Sequence, residues 1–201
     1  VVDEVTGDPV VAADNRHLGT LVPPYQMGVS TLITWKGFSL GAQFDWRMGG
    51  WLYSEIVPRM YTAGTDPRTA EYNREAFVWP NSVIETEPGK FIENASKVTS
   101  GGGRAFWSKQ GEVQINTVAK SDFFKLRELN LGYTVPARML GNQKFVRELS
   151  LALVPTNLFI IHHMDNKYGD PEYLYNNTDG YLSFRQVPPY RSFGFNVTAA
   201  F

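Results

Sequence analysis

Apolar and polar residues alternate along several stretches of this chain with the two-residue period of a β-strand. The cleanest stretch is Phe38 to Arg47, where Phe38, Leu40, Ala42, Phe44 and Trp46 oppose Ser39, Gly41, Gln43, Asp45 and Arg47. Just before it, Met27 to Lys36 sets Val29, Thr31, Ile33 and Trp35 on one face. Gly28, Ser30 and Thr34 fall on the other, with Leu32 the lone apolar residue there. Lys36-Gly37 between them reads as a two-residue hairpin connection. At the far end, Phe193, Phe195, Val197, Ala199 and Phe201 alternate with Gly194, Asn196, Thr198 and Ala200.

Two further strands are less regular. From Ser121 to Thr134 the parity slips: Phe124 and Leu126 share one phase, Leu129, Leu131 and Tyr133 the other. Without a slip, Lys125 and Arg127 would join the apolar face of the second half. A bulge near Arg127-Glu128 keeps them off it. From Arg147 to Phe159, Leu149, Leu151 and Leu153 alternate with Ser150 and Ala152, and Pro155 predicts a second bulge. Residues 48–121 show no comparable alternation, only a short helix expected at Pro67 to Phe77 and the flexible run Gly101-Gly102-Gly103. The expected layout is therefore a loop over 1–25, a strand hairpin over 26–47, a long loop over 48–121, a strand pair over 122–159 with a compact turn at 136–146, a loop over 160–189, and a terminal strand over 190–201.

The first two strands are each about ten residues long, within the roughly 9–11 that cross a bilayer on a tilt. Aromatics collect at their ends: Trp35, Phe38, Tyr133 and Phe201 at one level, Trp46, Phe124, Phe159 and Tyr190 at the other. Aliphatic side chains lie between, the arrangement of two interfacial girdles around a lipid-facing band. The expectation is an all-β fold, a piece of a transmembrane β-barrel. Short connections at 36–37 and 136–146 then read as periplasmic turns and the long ones as extracellular loops, which puts the chain end on the periplasmic side. Gln43, Asp45, Arg47, Asn196 and Thr198 would face the lumen or a plug.

Composition narrows the rest. A net charge of -1 with no basic stripe argues against nucleic-acid binding. The chain has no Cys, which removes disulfides and thiol chemistry. Apolar runs such as Leu158 to Ile161 are far below the roughly 20 residues of a spanning helix. The start, Val1-Val2-Asp3-Glu4, has no signal-peptide pattern and reads as the interior of a longer chain.

Candidate chemistry is sparse. His162-His163 with Asp165 lacks a third ligand at a regular spacing, so no metal is expected. Gly101-Gly102-Gly103-Arg104 lacks the Lys-Ser/Thr and the following helix of a phosphate loop. Glu85, Glu87 and Glu93, or Asp170 and Glu172, could form a glycosidase pair, but nothing fixes their separation, and solvated loop acids are the plainer reading. No catalytic residue and no cofactor is expected. The aromatic set Trp51, Tyr53, Tyr61, Tyr72, Trp79, Phe106 and Trp107 has two readings. It packs the long loop, or it stacks on ligand or a partner at a channel mouth. A secreted carbohydrate-binding β-sandwich would use the same aromatics, but it needs a second sheet over the apolar faces.

The stretch Asp122-Phe-Phe-Lys-Leu-Arg-Glu-Leu-Asn-Leu-Gly-Tyr-Thr-Val-Pro136 resembles the C-terminal block of SusC/RagA-like TonB-dependent transporters of the Bacteroidetes outer membrane. Further matches in the same order are Trp35-Lys-Gly-Phe-Ser-Leu40, Phe44-Asp-Trp-Arg-Met-Gly-Gly50, Tyr72-Asn-Arg74, Asn157-Leu-Phe159, Tyr168-Gly-Asp-Pro-Glu172 and Pro189-Tyr-Arg-Ser-Phe193. Val154-Pro155-Thr156 departs from the pattern, and Tyr173 to Val187 does not align. The resemblance implies the last five strands of a barrel of about 22, in the outer membrane of a Gram-negative bacterium. Its partners would be the remaining strands and plug, TonB through an upstream region, a SusD-like surface lipoprotein, lipid, and a glycan or peptide substrate. Phe193, Phe195 and Phe201 would serve as the terminal signal for barrel assembly.

Overall fold

The computed structural model describes residues 1–141, 145–172, 180–185, 187 and 189–201. Residues 142–144 of the expected turn, and most of the Tyr173 to Val187 segment that departs from the resemblance, lie outside them. The chain divides into two compact units. One comprises Thr20–Trp51, Lys120–Tyr173 and Gln186–Phe201, and the other Val1–Gly19, Leu52–Ala119 and Leu174–Arg185.

The first unit is a five-stranded antiparallel sheet. Its strands are β1 (Tyr25–Trp35), β2 (Phe38–Met48), β7 (Phe123–Val135), β8 (Glu148–His162) and β10 (Ser192–Ala200), in that spatial order. All five expected strands are present and lie side by side. Lys36 and Gly37 have φ of 48° and 90°, the left-handed pair of a tight hairpin turn. A Cβ on Gly37 would meet the Thr134 carbonyl oxygen at 2.7 Å, so the turn needs glycine there.

Register turns the alternation of single strands into a continuous surface. Trp35, Phe38, Tyr133, Leu151 and Val197 form one row across the sheet, and Ile33, Leu40, Leu131, Leu153 and Phe195 the next. Near the other end run Val29, Phe44, Leu126 and Phe159, then Met27, Trp46, Phe124 and Ile161. Most of this face is bare: Ile33 is 57% exposed, Trp35 65% and Phe195 70%, while Leu126, in the row between Phe44 and Phe159, is buried.

The phase slip in β7 is a bulge at Arg127. Gln43 pairs with Glu128 and Phe44 with Leu126, leaving Arg127 as the extra residue against β2. The second bulge is not at Pro155, which pairs in register with Phe193. It falls two residues on: between the pairs Leu126–Phe159 and Glu128–Thr156, β8 carries Asn157 and Leu158 where β7 carries only Arg127. Asn157 has φ of 52°, and Asn tolerates that region better than most residues. Pro155 fits the ladder, and the irregularity goes to the residue able to turn left-handed. β8 also runs to His162, beyond the expected end at Phe159.

The second unit is more ordered than a long loop. It holds β3 (Trp51–Ser54), α1 (Ile56–Ala63), the hairpin of β4 (Val83–Glu87) and β5 (Lys90–Glu93), α2 (Arg104–Glu112), β6 (Val118–Lys120) and β9 (Tyr181–Leu182). β3 and β6 each extend one residue past the unit boundary. The helix expected at Pro67 to Phe77 is only a 3-10 turn, Pro67–Ala70, started by Asp66 accepting from the Arg68 amide. A helix does follow Gly103, contrary to the sequence reading of that run. β3 pairs with β9 in parallel and neighbours β6, and Leu52, Ala119 and Leu182 form a buried cluster there. No described helix is long and apolar enough to cross a membrane.

Candidate functional site

The face of the sheet opposite the apolar rows is polar and changes character along the strands. Toward the hairpin turn its rows are small: Thr34, Ser39, Gly132, Ala152 and Asn196, beside Thr134, Ser150 and Thr198. Thr134 and Ser150 share a hydrogen bond of 2.9 Å, and Thr156 and Ser192 one of 2.6 Å. Gln43 is exposed in the middle, paired with Ser30 and Glu128.

Toward the opposite end stand the charges. Asp45 pairs in register with Lys125, and Arg47 with Phe123. The Lys125 ammonium donates to Asp170 Oδ2 and Glu172 Oε2, both at 2.7 Å, and the residue is only 4% exposed. Arg127 donates to Asp45 and to Glu172. Arg47 lies 3.3 Å from Glu172 Oε1 and packs over the Phe123 ring. Three cations therefore meet three carboxylates, with Glu172 at the hub. Burial pushes the Glu172 carboxyl up, but hydrogen bonds from Arg127 and Lys125 outweigh it and hold it below its usual range. The bulge makes this possible: Arg127 keeps the phase of Lys125, and Glu128 restarts the polar phase of the second half.

Asp170 and Glu172 are thus not solvated loop acids, as their sequence context implied; they are half-buried counter-ions. They were missed because their partners lie some 45 residues away, and only the sheet brings them together. The one available signal was that Lys125 and Arg127 needed a polar destination. Gln43, Asp45, Arg47, Asn196 and Thr198 all lie on this polar face, Asp45 and Arg47 already engaged within the cluster. Phe193 and Phe195 are exposed on the apolar face, while Phe201, just past β10, has its ring centroid 5.0 Å from that of Phe145.

In the other unit most of the aromatic set packs on itself. Tyr61 and Trp107 are 2% and 3% exposed and meet at a tilt with ring centroids 5.2 Å apart, and Phe106 is fully buried between Phe77, Trp79 and Trp107. Tyr72 lies flat on Phe77 at 3.7 Å and is half-buried, as is Trp79. Tyr61 and Trp107 are therefore corrected from ligand contacts to the packing reading: as buried rings they build the unit. Trp51 and Tyr53 are half-buried elsewhere, Trp51 beneath the Lys120 ammonium at 4.0 Å and Tyr53 against Tyr181 at 5.4 Å.

The remaining candidates form no reaction centre among the described residues. Glu85, Glu87 and Glu93 are exposed along the β4–β5 hairpin. His163 Nδ1 lies 3.3 Å from Asp165, and among the described residues no group of three His, Asp or Glu side chains is placed to hold a metal.

No family model matches the chain, and no curated protein matches it in sequence. Solved structures do match in fold. A chain of the RagAB peptide importer in its closed-closed state superposes with a TM-score of 0.62 at 20% identity over 96% of this chain. The open-open state gives 0.59 at 18% over 96%, and a structure of the RagAB peptide transporter 0.63 at 18% over 100%. This chain spans about a fifth of those chains, 19%, 19% and 22% respectively. At such identities the likeness is one of fold.

Proposed function

We propose that the five-stranded sheet is part of the wall of a transmembrane β-barrel in an outer-membrane, TonB-dependent importer of the SusC/RagA type. The observation that carries this is the bare apolar face, continuous across all five strands, with aromatic rows at its two ends and a polar, ion-paired face behind it. Water does not tolerate such a surface on a soluble domain, and lipid requires it. Strands β1 and β10 are edges, and open edges in lipid leave backbone groups unpaired at several kcal/mol each. The rest of a barrel of about 22 strands is thus the required partner. The fold likeness to the RagAB peptide importer supports a transport role and puts peptides ahead of glycans as cargo.

In this reading the wall performs no bond chemistry. Gln43, Asn196 and Thr198 face the lumen or plug, and the long connections 48–121 and 160–189 leave the strands at the extracellular end, with the chain end in the periplasm. Trp51, Tyr53, Tyr72 and Trp79 remain the candidate contacts for cargo or for a SusD-like lid lipoprotein. The decisive experiment is extraction of the protein with and without detergent. A folded monomer that stays soluble without detergent refutes the membrane wall. Uptake by cells carrying a deletion of residues 51–115 tests the loop contacts, since import unchanged by that deletion removes them from the mechanism.

A further inference from the structure

We propose that the six-charge cluster is a clamp that keeps residues 163–172 folded against the polar face as a fixed piece of lining, not as a free outer loop. The clamp itself stands on the geometry of the sheet unit; its place inside a lumen rests on the barrel-wall reading above.

The segment has its own turn: Asn166 N donates to the His163 carbonyl, Asn166 Nδ2 to Gly169 O at 2.8 Å, and Glu172 N to Asp170 Oδ1 at 3.0 Å. Those bonds shape it without attaching it. Attachment comes at its start from His163 N to Asp122 O at 3.0 Å, and at its end from the pairs with Lys125, Arg127 and Arg47. Lysine is almost never this buried unless paired. Taking both carboxylates away leaves a desolvated ammonium, and breaking a buried pair from one side is strongly unfavourable. A displacing ligand would have to replace two carboxylates at once. The arrangement is therefore a lock, and not a switch operated by weak binding. It also cancels three cations that would otherwise mark this part of the lining as an anion attractor.

The test uses the membrane-embedded protein with a nitroxide at Lys167→Cys, an exposed position in the segment. This chain adds no competing thiol. Asp170→Asn with Glu172→Gln should release the label into a mobile spectrum. It should also speed amide exchange over 166–172 by at least about tenfold, the least expected from losing charge-assisted bonds. An unchanged spectrum and unchanged exchange in a folded double variant overturn the clamp. If the double variant does not assemble, judged by heat-modifiable migration, Glu172→Gln alone and Arg47→Gln must loosen the label in graded steps; no gradation overturns it equally. A second label at Val197→Cys reports on the barrel wall separately. Oxygen-accessible, water-shielded Val197 upholds the wall, and a wet Val197 sinks it whatever the clamp does.

Discussion

Arginine placed along β2 discriminates lipid from any protein cover. Phe38 to Trp46 spans eight residue steps, about 27 Å of strand, or about 21 Å of height at a tilt near 40°. In the proposed wall, Leu40 and Ala42 then lie near the middle of an apolar band about 25 Å tall, and Phe38 near its edge. Ala42→Arg should cost about 2–4 kcal/mol of stability, Leu40→Arg nearly as much, and Phe38→Arg about 0–1 kcal/mol. Gln43→Arg, one residue along but on the exposed polar face beside Glu128, should be close to neutral. Reversible unfolding in bilayers of two acyl-chain lengths measures all four. The central penalty should shrink in the thinner bilayer, because the guanidinium reaches the headgroups sooner. A cost at Ala42 that ignores thickness, or one equal at Ala42 and Gln43, would refute the lipid-facing assignment.

Four further outcomes follow from the same contacts. Lys125→Met should cost about 3–5 kcal/mol, since it strands Asp170 and Glu172 beside each other with a cation removed, and chemical denaturation should show it. Because the Glu172 carboxyl is held below its usual range, its pairs should contribute fully at neutral pH. They should be lost only as pH falls through that lowered value, and Glu172→Gln should flatten this acid limb in a stability-versus-pH series. Trp107→Ala should remove about 3–5 kcal/mol from the loop unit and, by proteolysis mapping, loosen that unit while leaving the sheet protected. Gly37→Ala should destabilise the hairpin by more than about 1 kcal/mol, through both its φ and the Thr134 carbonyl, with slower barrel assembly as the readout.

The sheet was legible because two-residue alternation is local. Phe38 to Arg47 shows both faces within ten residues, and the slip in β7 announces its bulge through the placement of Lys125 and Arg127. What escaped was non-local or depended on a backbone choice. Proline at 155 drew attention, yet the left-handed residue that absorbs the extra length is Asn157. Helix α2 follows three glycines and contains Phe106, Trp107 and Gln110 on its buried side, a pattern too short to display a period. Tyr61 and Trp107 have the composition of contact residues and the environment of a core, and only their neighbours distinguish the two.

The bulge, the ion cluster and the apolar face depend on one another. Had β7 continued without an extra residue, keeping Leu129, Leu131 and Tyr133 on the apolar side would have carried Lys125 and Arg127 there too. In the proposed membrane wall each would then cost up to about 2–4 kcal/mol near mid-bilayer. Inserting Arg127 lets both halves of the strand show Phe124, Leu126, Leu129 and Leu131 to one side and their charges to the other. Once on the polar side, Lys125 is buried and Arg127 half-buried, and both need counter-ions, which Asp45 supplies from β2 and the 163–172 segment supplies from beyond β8. β8 matches the bulge with its own extra residue at Asn157-Leu158, so that Leu153 and Phe159 both remain in the apolar rows. Deleting Arg127 should therefore do more than remove a charge: it should pit the two halves of β7 against each other in register.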